Sequence, residues 1–165
     1  LEEAINEQRS GTTARRIEPE VIIPITALIP VDYIPDEGLR LLFYKRLSMA
    51  RTEDELDAIL YEVVDRFGRY PREVFNLRQI VSIKIALTEL CIEKVETGPK
   101  STVFTLTPEC RLNPDQVVEL VRREQGRFVL REDMRLIRKW SPRESEDLLN
   151  ATRSALEKVK RCVHV

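Results

Sequence analysis

One histidine, three cysteines and several adjacent carboxylate pairs are the residues of this chain whose types could do chemistry, and none is spaced to do it. His164 lies one residue from the end, where chains usually fray. Cys91, Cys110 and Cys162 are odd in number and lack CxxC spacing, so reduced thiols are expected rather than zinc or disulfides. Cys91 closes an apolar stretch and reads as a small buried hydrophobe, not a nucleophile. Glu53-Asp54 and Glu132-Asp133 are adjacent, so on a helix or strand their carboxylates point apart and do not share a substrate. There is no G-x-S-x-G elbow, no metal-spaced His/Cys cluster and no GxxxxGK-Ser/Thr phosphate loop. The segment is therefore expected to be non-catalytic, with no cofactor or metal of its own.

Two charged stretches can instead do binding chemistry. Thr52 to Asp65 holds six acidic residues (Glu53, Asp54, Glu55, Asp57, Glu62, Asp65) and no basic one. Arg122 to Arg143 holds eight basic residues (Arg122, Arg123, Arg127, Arg131, Arg135, Arg138, Lys139, Arg143) against three acidic ones. The basic stretch could neutralise phosphates, with Trp140 available to stack on a base. Against that reading, the basic residues are spread over more than one element and no RNP, KH or helix-turn-helix signature is present. Trp140, beside an apolar strand, fits a core position better. The whole chain carries a formal charge of only -1 and so has no global field favouring nucleic acid or a membrane.

The elements that position these stretches follow from period and caps. With 42% hydrophobic and 33% charged residues in 165, the chain can bury a core and suits one domain. No apolar run approaches the ~18 residues of a membrane span, no signal peptide is expected, and the expected location is cytoplasmic. The first residue is Leu1 rather than Met, so the chain is expected to be part of a longer polypeptide. Residues 1–30 are expected to form an upstream helix end (Leu1 to Gln8) and an extended linker; residues 31–165 are expected to form the domain. Val21 to Ile25, hemmed by prolines, reads as a connector or an edge strand.

Three helices should come next. The first runs from about Asp36 to Ala50, with Leu39, Leu42, Phe43, Leu47 and Ala50 inward. The second opens on a Thr52/Glu55 capping box, carries the stripe Leu56, Ile59, Leu60, Val63, Val64 and Phe67, and stops at Gly68. On that helix Ala58, Tyr61, Glu62, Asp65 and Arg66 face outward or flank the stripe. The third has Pro71 at its first position and two stripes, Val74-Leu77-Val81-Ile85 and Ile80-Ile83-Leu87-Leu90, which makes it the central helix. The period then shortens. Ile92 to Glu96 and Thr102 to Leu106 read as one hairpin, Phe128 to Leu130 and Met134 to Ile137 as another, with an Asn113-Pro114 helix between them. Ser141-Pro142-Arg143-Glu144 reads as a capping box opening a last amphipathic helix. Helices followed by a small antiparallel sheet make an α+β domain.

Between Pro30 and Gly68 four short blocks stand in register: Pro30-x-x-Tyr33-Ile34-Pro35-Asp36, Arg40-Leu41 with Phe43-Tyr44-Lys45-Arg46, Thr52-Glu53-x-Glu55-Leu56, and Asp65-Arg66-Phe67-Gly68. In this order they resemble the C-terminal domain of bacterial transcription-repair coupling factors (Mfd). The Asn113-Pro114 helix start and the Arg135-Leu136 strand are weaker echoes. The family's turn glycine in the second hairpin is missing around Glu132-Asp133. The resemblance implies a non-catalytic regulatory domain of a large ATP-dependent translocase on double-stranded DNA. The parent would use ATP and magnesium in an upstream motor, bind stalled RNA polymerase and duplex DNA, and recruit the repair protein UvrA. It also implies that this domain docks on the UvrA-binding module of the same chain, masking it and restraining the motor. Glu62, Asp65, Arg66, Tyr61 and Ala58 would lie at that interface. The rival is a nucleic-acid-binding accessory module built on Arg122, Arg123, Arg127, Arg131 and Arg135.

Overall fold

Proline placement decides how the first described segment meets the rest of the chain. In the computed structural model, which describes residues 17–163, strand β1 (Glu20–Ile22) lies between Pro19 and Pro24. Prolines cannot donate to a ladder, so this strand is short and has one neighbour. The helices α1 (Glu37–Met49), α2 (Glu53–Phe67) and α3 (Arg72–Leu90) follow, then the hairpin β2 (Ile92–Thr97) and β3 (Ser101–Leu106). Helix α4 (Pro114–Arg123), strands β4 (Phe128–Leu130) and β5 (Arg135–Lys139), and helix α5 (Leu148–Lys160) complete the chain. The fold is α+β, with a five-stranded sheet in the order β1-β2-β3-β5-β4. The Leu1 to Gln8 helix end and His164 lie outside the described residues.

The sheet is mixed rather than wholly antiparallel. β1 pairs parallel to β2, with Val21 opposite Val95, while the other three pairings are antiparallel. The boundary expected at residue 30 therefore falls inside packed structure: Ile23 and Ile29 are buried, in different cores. The apolar side chains of residues 21–29 draw this stretch onto the body instead of leaving it as a linker.

Two hydrophobic cores share α3. The helical core joins Ile29, Ile34, Phe43, Leu47, Leu56, Ile59, Leu60 and Val63 with Val74, Val81 and Ile85. The sheet core joins Ile83, Leu87 and Leu90 with Val95, Phe104, Leu120, Phe128, Leu136, Leu156 and Val159. The two stripes read on α3 are its two faces, one for each core, except that Ile80 is half-buried and joins neither. Buried on both sides, α3 is the central helix.

Local signals act mostly as the sequence dictates. Asp36 caps α1 and Asn113 caps α4 through their side-chain oxygens. Thr52 accepts from the Glu55 N–H at 3.2 Å; Glu55 returns the bond to the Arg51 N–H at 2.7 Å, one residue upstream of the reciprocal expected in a capping box. Gly68 stops α2 at φ 83, a left-handed conformation that costs glycine nothing. Pro71 sits just outside α3, at its N-cap, rather than at its first position. In the second hairpin Met134 takes the left-handed turn conformation (φ 63) that a glycine would have taken. The Ser141 box does not open α5. Glu144 does accept from the Ser141 N–H at 2.7 Å, but Arg138 holds the same carboxylate at 2.9 Å. The chain makes only a 3-10 turn over Glu144–Glu146, and Asp147 caps α5 instead. Three side chains expected inward also differ: Leu42 and Val64 are exposed, and Phe67 is half-buried.

Candidate docking surface

The six acidic residues of α2 do not form one face. Arg78 of α3 pairs with Asp57 at 2.5 Å and with Glu53 at 3.8 Å, and Ser82 Oγ donates to Glu53. Glu55 is spent on the helix cap. On the opposite flank Glu62 pairs with Arg46 of α1 at 2.7 Å and with Arg66 at 3.7 Å. Each flank of α2 is thus tied to a neighbouring helix.

Between the two tied flanks runs a solvent ridge. Asp54, Ala58, Tyr61 and Asp65 follow one another at i, i+4, i+7 and i+11, the spacing of one helical face. All four are exposed, Tyr61 to 78%. Among the described residues, the side chains of Asp54, Tyr61 and Asp65 make no hydrogen bond or ion pair. The structure therefore brings the five candidates together: Ala58, Tyr61 and Asp65 on the ridge, Glu62 and Arg66 along its edge. Arg66 also lies over the Phe67 ring at 5.3 Å and over Phe43 at 6.0 Å, which fixes its guanidinium against the helical core.

Sequence reasoning missed the contribution of α1. Arg46, over the Phe43 ring at 5.4 Å, holds Glu62 from across the helix pair. Leu42 and Met49 lie one turn before and after Arg46 and are 47% and 61% exposed. The apolar doublet Leu41-Leu42 was the available signal, since adjacent helical positions cannot both face one core. The surface is thus a tyrosine and two aliphatic side chains set among carboxylates and arginines held by their neighbours. Among the described residues no group of His, Cys, Asp or Glu is placed to hold a metal ion.

The basic stretch is dispersed. Arg138 is buried, stacked by Phe128 at 5.6 Å and Trp140 at 5.0 Å, with Glu144 at 2.9 Å. Arg122 pairs with Glu119 on α4 and Arg135 with Asp133, both at 3.5 Å. Arg131 and Arg135 meet at one end of the β4–β5 hairpin, through the Arg131 N–H and the Arg135 carbonyl. Arg127 lies at the other end, bonded through its carbonyl to the Lys139 N–H, and Arg123 closes α4. Trp140 packs against the sheet core, as its position beside an apolar strand suggested.

With this geometry the chain can be compared with known proteins. The model of the TRCF domain family matches residues 23–117. A transcription-repair-coupling factor of Myxococcus xanthus is 37% identical over 163 residues, 98% of this chain. The chain belongs to the transcription-repair-coupling factor family. It spans only 14% of the length of the Myxococcus xanthus protein. The Escherichia coli coupling factor is 32% identical over 137 residues, covering 79% of this chain and 12% of that protein. A crystal structure of the C-terminal domain of a transcription-repair coupling factor superposes with a TM-score of 0.66, covering 87% of this chain and 95% of that one. At 20% identity this likeness establishes the fold, and the coupling-factor C-terminal domain is the fold described above. Among the described residues no helix is long and apolar enough to cross a membrane.

Proposed function

We propose that this coupling-factor chain is a non-catalytic regulatory domain of a cytoplasmic, ATP-dependent double-stranded DNA translocase. That parent would displace stalled RNA polymerase and recruit excision repair. The domain docks through the α2 ridge on the UvrA-binding module of the same parent chain and restrains the motor until polymerase is engaged. ATP and magnesium belong to the upstream motor in this reading, and the segment contributes only contact surface. The observation that carries it is the ridge itself: Tyr61 and Asp65 are presented outward, without internal partners, on a helix anchored on both flanks. Rigid presentation of a few polar and aromatic groups lets a contact be specific yet easily broken.

A domain that biases a closed state does so only through contacts present in that state and absent from the open one. Removing them should cost about 1–3 kcal/mol of coupling, a shift of several-fold to roughly a hundredfold. The test is the full-length parent carrying Glu62→Ala, Asp65→Ala and Arg66→Ala together. Basal ATPase and UvrA binding should both rise, and the isolated domain should lose binding to the UvrA-binding module supplied in trans. If the variant folds normally while ATPase and UvrA binding match the parent, the ridge is not the contact. A gel shift of the isolated domain on duplex DNA that Arg131→Ala and Arg135→Ala abolish would favour the nucleic-acid reading in its place.

A further inference from the structure

The three thiols are free and half-buried or buried, and two of them share one corner of the sheet half. Cys91 caps α3 in the left-handed conformation (φ 55, ψ 42), where glycine would be less costly. The segment leading into α4 returns to this point. The Arg111 N–H donates to the Leu90 carbonyl at 2.9 Å, so the next residue after Leu90 and the residue before Arg111 flank one backbone bond. Those residues are Cys91 and Cys110. Thr107 ties them a second time, its hydroxyl donating to the Cys91 carbonyl at 2.7 Å and its carbonyl accepting from the Cys110 N–H at 3.0 Å. These backbone bonds bring the chain at Cys91 and the chain at Cys110 side by side, and a disulfide asks for Cα atoms about 4.4–6.8 Å apart. Burial pushes the Cys110 thiol up, and the neighbouring Cys91 adds to that shift. Cys162 lies along the same segment, its carbonyl accepting from the Asn113 N–H at 2.6 Å, but its Sγ turns to the carbonyls of Gln116 and Lys158.

We infer that Cys91 and Cys110 form a dithiol that a peroxide oxidises to an intramolecular disulfide. One thiolate attacks a peroxide oxygen: the S–O bond forms, the O–O bond breaks, and the displaced oxygen leaves as water after protonation. The second thiolate then attacks the sulfenic sulfur, forming S–S and releasing a second water. Two thiols lose two electrons and two protons, and one hydrogen peroxide becomes two waters. The bond would pin the end of α3 to the approach to α4 and close a loop around the β2–β3 hairpin. Because the thiolate is the nucleophile and burial pushes the Cys110 thiol up, oxidation should quicken as pH rises.

The test is stoichiometric hydrogen peroxide added to the reduced chain, followed by intact mass and non-reducing peptide mapping. The mass should fall by about 2 Da. The mapped crosslink should join the peptides carrying Cys91 and Cys110, Cys162 should still alkylate, and Tm should rise. Cys162→Ser should oxidise at the parental rate, whereas Cys91→Ser and Cys110→Ser should each abolish the loss. A crosslink through Cys162, a disulfide-linked dimer, or only sulfinic products on separate cysteines would each overturn the inference.

Discussion

The two halves on either side of α3 handle charge in opposite ways. The helical half keeps its charged residues on the outside: Arg46, Glu62, Arg66 and Arg78 tie helices together along the surface, over the apolar cluster beneath. The sheet half takes polar groups inside. Arg138 is buried against two aromatic rings, Thr97, Thr102 and Thr152 share hydroxyl bonds of 2.6 Å, and at the half-buried margin Lys158 grips both Glu124 oxygens at 2.9 and 3.0 Å. A half whose charges lie outside can change its surface without disturbing its core. A half with internal polar groups gains a fixed geometry but becomes sensitive to protonation and to loss of either partner. In this division the candidate contact surface belongs to the adaptable half.

The largest expected effect tests whether the halves are thermodynamically separate. Phe43 is fully buried, and Phe43→Ala should cost about 3–5 kcal/mol. Phe67 is half-buried, 6.1 Å from both the Tyr33 and Phe43 rings, so Phe67→Ala should cost less, about 2 kcal/mol. Because α3 feeds both cores, urea unfolding followed by Trp140 fluorescence, which reports the sheet half, should shift by the same amount as far-UV circular dichroism. Two separated transitions would show the halves to be independent.

Next in size is the Arg138–Glu144 pair. Arg138→Ala should cost about 3 kcal/mol, because it removes a buried side chain packed on Phe128 and Trp140 and takes from Glu144 one of its two partners. Arg138→Met with Glu144→Gln should recover part of that loss, as measured by urea midpoints. Equal losses in the single and double variants would mean that the aromatic stacking, not the ion pair, matters.

Acid should reach the sheet half first. A hydrogen bond from Lys158 holds the Glu124 carboxyl below the usual glutamate range, and the Ser141 N–H does the same for Glu144, assisted by Arg138. A folded-state value below the unfolded one contributes stability that is present above the unfolded pKa, near 4.5, and lost as pH falls through the folded one. Stability measured from pH 7 to pH 3 should therefore decline below about pH 4.5. In Glu124→Gln with Glu144→Gln the decline should be shallower, from a lower starting point. An unchanged slope would place the acid sensitivity elsewhere.

The smallest stability effect belongs to the surface. Glu62→Ala, Asp65→Ala and Arg66→Ala together should cost about 1 kcal/mol or less, since exposed pairs such as Arg46–Glu62 contribute little. A cost several times larger would mean that α2 uses those residues to fold rather than to bind.

Legibility in the sequence followed the range of the interactions. Helix caps and 3.6-residue stripes act within a turn or two, so α1 to α3, both hairpins and the double face of α3 could be read directly. Long-range pairings could not. The parallel partner of β1 lies beyond three helices, and nothing near Glu20 names Lys94. The Ser141 box had the correct residues, and Glu144 bonds the Ser141 N–H, but the same carboxylate is shared with Arg138, which only the folded sheet presents, and α5 starts later at the Asp147 cap. On the candidate surface the outward residues were legible from phase alone. The division of the acidic stretch into two fastened flanks and a bare ridge was not, because Arg46 and Arg78 come from other helices.

The parallel clip of β1 has a mechanical consequence. Tension on the chain upstream of Glu20 would pull along a strand bonded side by side to β2, loading its bonds together in shear rather than peeling them one at a time. With only three residues in the strand and Pro24 just beyond it, that clip is short, and it should yield before the antiparallel β2–β3–β5 ladder. A force entering at this end would thus be spent on unfastening one strand, while the hairpins and the α2 ridge kept their shape.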